Sequence, residues 1–171
     1  MPEHVWHHKK YLPRMYASHR CFDPAKDVLL PPFTSMGELA RSVHLAPAEE
    51  RARTRDILFH WRGQVLWKLP QYSMGIRHQL VTLFRGMERE GVVVSHEHSP
   101  GFLAEMRRST FCGVCPGNGW GHLETPVLLG CIPVVFMDDI LTPWEGVLDF
   151  SSFGVRVPRR RLPHCGVTNF G

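Results

Sequence analysis

Thr110 to Cys115 reads TFCGVC, Pro116 to Gly121 reads PGNGWG, His122 to Leu129 reads HLETPVLL, and Cys131 to Phe136 reads CIPVVF. An apolar run, a glycine-rich turn, a segment of helical length and a second apolar run make a strand, turn, helix, strand unit. Gly117, Gly119 and Gly121 let backbone approach an anion closely. The first turn of the following helix offers unpaired N–H groups and the positive end of its dipole. A diphosphate suits such a place. An ordinary strand-to-helix turn is written the same way, and the order of the glycines is not the dinucleotide fingerprint G-x-G-x-x-G.

The alternation extends upstream. Ile57 to Trp61 is a short apolar run ending at Arg62-Gly63, the profile of a buried strand leaving a sheet. Ser73 stands as an N-cap for a helix carrying Ile76, Leu80, Leu83 and Phe84 on one face, and Gly91 closes that helix. Val92 to Val94 is the next strand. Ser99 and Pro100 open a helix through Phe102, Leu103 and Met106. Downstream, Phe153 to Val157 adds a further strand. Alternating apolar strands and helices imply an α/β fold, a parallel sheet with helices on both faces.

Before Asp56 the chain differs, with weak periodicity, Pro31-Pro32 and an arginine-rich stretch from Glu49 to Arg55. We read residues 1–55 as the tail of a preceding domain with its linker, and residues 56–171 as the α/β domain.

Hydrophobic residues are 43% and charged residues 21% of the 171, which excludes a disordered chain and predicts a packed core. The formal charge of +4 gathers at His7 to Lys10, Arg51 to Arg55, Arg107-Arg108 and Arg159 to Arg161. Such clusters attract anions or are simply solvated faces. Met1 to Lys10 carries histidines and lysines where a signal peptide needs an apolar region, and Val127 to Met137 is too short to span a bilayer. The chain as given is expected to be soluble, with any membrane anchor of a longer parent lying outside it.

Arg108 to Cys112, Cys115 to Gly121, Gly130 to Val135, Asp138-Asp139, and Pro143 through Leu148 to Phe153 follow one another at separations that resemble the exostosin family of glycosyltransferases. Cys21 to Asp27 with Pro31-Pro32 is similar to the segment before the donor domain in plant and green-algal members. The resemblance implies a GT-B enzyme, two Rossmann-like domains facing across a cleft. Residues 56–171 would then be the C-terminal, donor-binding one, and residues 1–55 the tail of the acceptor-binding one. It further implies inverting transfer from a nucleotide sugar, commonly UDP-linked, to a glycan or polysaccharide in the Golgi lumen or another secretory compartment. Neither a separate cofactor nor a nucleic-acid partner is implied.

Carried over by position, Arg62, Arg77 and Arg108 match basic positions of the family and are assigned to the donor diphosphate, which guanidinium groups bind bidentately. Arg62 is the foremost of them, because a charge directly after a buried strand points into the crevice at the carboxyl ends of the strands. Glu124 matches the acidic residue that grips the ribose or donor sugar. It stands one position further from Gly130 than in animal and land-plant members, a turn of about 100° on a helix. No catalytic base is named, since the facing domain can supply it.

Other patterns point to structure. Two adjacent carboxylates, Asp138-Asp139, are usually turn formers. Cys112 and Cys115 lack the second pair a zinc site needs, and an offset of three on a strand sends them to opposite faces. They are expected to be structural, with a disulfide open to either. His4, His7 and His8, and His96 with His98, are read as solvated, with no metal. Two rival functions remain: a non-catalytic module binding a nucleotide sugar or a partner, and a polyanion binder using the basic clusters.

Overall fold

The computed structural model describes residues 55–69, 72–117, 121–137, 142–143, 147–158 and 161–162, with backbone alone at 121 and 122. The expected domain boundary falls at their edge. The segment before it, Gly119 and Asp138-Asp139 lie outside them.

Five parallel strands form one sheet in the order β2-β1-β3-β4-β5: β1 Ile57–Arg62, β2 Val92–Ser95, β3 Ser109–Val114, β4 Ile132–Val135 and β5 Val155–Arg156. Among the described residues three α-helices join the first four of them: α1 Ile76–Leu83, α2 Phe102–Arg107 and α3 Gly121–Leu128. Parallel neighbours need crossovers, and each helix returns the chain to the starting edge of the sheet. This is the Rossmann-like α/β architecture that the alternation predicts, as one half of a GT-B enzyme would have it.

Successive residues of β1 face opposite sides, and each side has its own helix. Phe59 packs against Phe84, just past α1, and Phe59 and Trp61 occupy the space that a side chain on Gly113 would need. Trp61, Ile76, Leu80, Val114 and Val135 are at most 4% exposed and centre the main core. On the other side His60 packs on Phe102 of α2. There Met106, Leu129 and the Cys112–Cys131 disulfide form a second, smaller cluster. Cys115 is a buried free thiol, and burial pushes its pKa far up, so it is inert. Cys112 and Cys115 are therefore neither a zinc pair nor a redox pair.

Two helix starts differ from the sequence expectation. Gly75, not Ser73, is the residue before α1, and Ser73, Met74 and Gly75 are all left-handed, at φ of 57°, 54° and 76°. With three consecutive residues turned that way, the Ser73 hydroxyl cannot reach the helix N–H groups and is buried without a hydrogen-bond partner among the described residues. Gly91 closes a short 3-10 turn, Glu88–Glu90, rather than α1, which ends at Leu83. Gly101, not Ser99, is the residue before α2, although the Ser99 hydroxyl still accepts from the Gly101 amide and donates to Glu105.

Candidate functional site

The chain leaves β1 toward β2 on one side of the sheet and later enters β3 on the other, so neighbouring crossovers diverge between the ends of β1 and β3. Open α/β sheets bind ligands at this topological switch point, outside the carboxyl ends of the strands. The loop after β1, beginning at Gly63, and the loop after β3, through Pro116 and Gly117, form its two walls.

Arg77, the second residue of α1, joins these walls. Its Nε donates to the Pro116 carbonyl at 3.0 Å and its Nη1 to the Gln64 carbonyl at 2.9 Å. Its guanidinium carbon lies 5.0 Å from the Tyr72 ring centre and 5.9 Å from that of Trp61. Arg77 is only 5% exposed. A buried cation is tolerated where it is well hydrogen-bonded and where aromatic faces offset lost hydration. Nη2 stands against Gly117 so closely that a Cβ there would overlap it. Gly117 is thus glycine to admit a guanidinium, whereas the sequence suggested room for an anion.

Glu124 lies in the first turn of α3, directly after the β3 loop, and is half-buried. Gly121 is the first residue of that helix. The sequence placed Glu124 on this helix, whereas Gly121, expected in the turn before it, opens the helix itself.

Arg62 ends β1 at this same edge, but its charge is matched by Glu105 of α2. Nε donates to Oε2 at 2.6 Å and Nη2 to Oε1 at 3.2 Å, while Nη1 reaches the Glu97 carbonyl at 3.4 Å. Glu105 also accepts from Ser99 Oγ at 2.8 Å and from His60 Nε2 at 3.0 Å. Desolvation raises the Glu105 pKa, yet the hydrogen bonds from Arg62, Ser99 and His60 together outweigh it and hold the carboxyl at about 2. Burial, opposed by the hydrogen bond to Glu105, keeps His60 below its ordinary value. Its Nδ1 has no hydrogen-bond partner among the described residues, consistent with a neutral ring protonated on Nε2.

Arg108 is not brought to the site. It caps the end of α2, just before β3 begins, and forms a two-point ion pair with Asp56, just before β1. Both residues are half-exposed and stand at the amino ends of the strands, the edge opposite the switch point. A guanidinium there cannot share a diphosphate with Arg77.

Sequence reasoning missed Glu105, His60 and the carbonyls of Gln64 and Pro116. Glu105 has no local signal, because its partners Arg62 and His60 lie 43 and 45 positions away. Among the described residues no three His, Cys, Asp or Glu side chains gather as metal ligands, and no helix is long and apolar enough to cross a membrane.

Comparison with known proteins agrees with this architecture. The model of the Exostosin GT47 domain matches residues 2–168, and the chain belongs to that family of glycosyltransferases. It is similar to the probable glucuronoxylan glucuronosyltransferase F8H of Arabidopsis thaliana, 28% identical over 167 residues, covering 88% of this chain and 34% of the relative. A probable glucuronosyltransferase of rice, Os03g0107900, is 32% identical over 152 residues, 84% of this chain and 33% of its own length. The probable beta-1,4-xylosyltransferase IRX10L of Arabidopsis thaliana is 35% identical over 75 residues, 42% and 18% of the two chains. The chain thus spans about a third of the length of the first of these relatives.

Proposed function

We propose that this chain is the donor-binding half of an inverting glycosyltransferase that moves a sugar from a UDP-linked donor to a polysaccharide acceptor of the xylan type. The observation that carries the reading is Arg77, a cation at the switch point of a sheet whose family transfers sugars. Leaving-group departure needs charge stabilisation at the diphosphate, and a guanidinium already held by the Gln64 and Pro116 carbonyls supplies positive charge without reorganisation. Glu124, in the first turn of α3 after the β3 loop, is suited to accept hydrogen bonds from ribose or sugar hydroxyls. Arg62, neutralised by Glu105, shapes the rim. Activation of the acceptor hydroxyl requires a general base, which the facing domain of a two-domain cleft can provide.

The acceptor class comes from the names of the relatives, which are glucuronosyl- and xylosyltransferases. The Cys112–Cys131 disulfide supports work in an oxidising secretory compartment such as the Golgi lumen.

Calorimetric titration of the chain with UDP, GDP, UDP-xylose and UDP-glucuronic acid tests the reading. We expect binding of the uridine nucleotides, weakened by Glu124→Gln and unchanged by Arg108→Ala. Absence of nucleotide binding by a folded chain would overturn it and leave a partner-binding module, while retention on heparin alone would favour the polyanion binder.

A further inference from the structure

A hollow of about 340 Å³ opens at the carboxyl ends of β1 and β2, beside the switch point rather than at it. Its lining includes Arg62, Gln64, His96, Glu97, His98 and Phe102. Its size falls at the lower end of the roughly 300–1,000 Å³ of small-molecule sites. Its charge argues against a phosphate. Arg62 is already paired with Glu105, and Glu97 adds a second carboxylate to the same rim. What remains is an amide, two imidazoles and a carboxylate, groups that exchange hydrogen bonds with hydroxyls.

The rim also carries an aromatic side chain that the core does not use. Trp67 is 52% exposed. It is held in perpendicular contact with His96, whose ring centre is 5.5 Å away, and with His78 at 5.2 Å. His78 is itself tied to the Leu66 carbonyl at 3.1 Å. The indole is therefore fixed in orientation while half of its surface stays open, next to a residue that lines the hollow. An apolar aromatic surface bordered by a few convergent polar groups is the usual make-up of a site for a ligand with both faces and hydroxyls.

We propose that Trp67 and the hollow beside it form a subsite for an uncharged pyranose of the acceptor glycan, contributed by the donor-binding half. The sugar ring lies against Trp67, and Gln64, His96 and His98 take its hydroxyls. The proposal rests on the glycosyltransferase reading, yet it concerns a different ligand and different residues.

Xylohexaose and cellohexaose, both uncharged β-1,4-linked pyranose chains, are the probes, titrated into the whole chain by calorimetry with and without saturating UDP. We expect at least one of them to bind alongside UDP. Trp67→Ala should weaken that binding about tenfold, Trp67→Phe should restore part of it, and UDP affinity should be unchanged in both. His96→Ala, also at an exposed position, gives a second reading, and thermal melts establish that each variant is folded. Failure of both oligosaccharides to bind the wild-type chain overturns the proposal. So does unaltered glycan affinity in folded Trp67→Ala and His96→Ala, or competition between glycan and UDP. Glycan binding without UDP binding would leave the subsite standing and remove the donor reading instead.

Discussion

Arg62 donates two hydrogen bonds to Glu105, joining the end of β1 to a helix 43 residues further along the chain. The pair aligns α2 against the carboxyl edge of the sheet, and His60 completes it from within. A residue expected to meet substrate therefore holds the frame of the site.

This pair makes stability depend on pH with a definite sign. The Glu105 carboxyl titrates near 2 in the fold against an ordinary 4.5, so its contribution is complete above about pH 4.5 and disappears as pH falls toward 2. His60 is also depressed, from an ordinary 6.5, so the unfolded chain takes up that proton first and stability declines as pH falls below 6.5. Both effects act in one direction. Urea denaturation between pH 2 and 7 should show stability rising with pH. Glu105→Gln should flatten the acidic part of the curve and cost about 2 kcal/mol at neutral pH, by leaving Arg62 without its charge partner.

Gly117→Ala should force Arg77 out of place, because the added Cβ overlaps Nη2. We expect a loss of about 1–3 kcal/mol, typical of inserting a methyl group into a packed site. Uridine nucleotide affinity should fall with it, which calorimetry beside a urea titration measures.

Ser73→Gly should stabilise the chain. Ser73 is buried in a left-handed conformation with φ 57°, and its hydroxyl lacks a hydrogen-bond partner among the described residues. Glycine adopts that conformation freely, so the expected gain is about 1 kcal/mol, read as a rise in the midpoint of thermal unfolding. A fall in the midpoint would mean that Ser73 makes a contact worth more than the strain.

Cys112 and Cys131 are 19 residues apart, and closing a loop of that size restricts the unfolded chain by about 3 kcal/mol. Reduction with dithiothreitol, or the double variant Cys112→Ser with Cys131→Ser, should lower stability by about that amount. Cys115 should react with a thiol reagent only after unfolding, since it is buried.

The sequence made the architecture legible where its physics is local. The apolar run Ile57–Trp61 and the glycines after Cys115 announced β1 and the β3 loop, and Glu124 was placed on its helix. Ser73 misled because a serine before an apolar period is the usual sign of an N-cap, and nothing local foretells two left-handed residues ahead of Gly75. Arg62, Arg77 and Arg108 look alike as letters. Only the tertiary arrangement separates one paired with Glu105, one buried between two loops and one at the far edge of the sheet beside Asp56. The Cys112–Cys131 pairing was equally out of reach, since it depends on β3 and β4 being neighbours.

By gripping Gln64 and Pro116 at once, Arg77 turns two separate segments into a single rigid lip. Pressure from a guest on either segment is felt by the other, and that lip yields when the shared rivet is drawn.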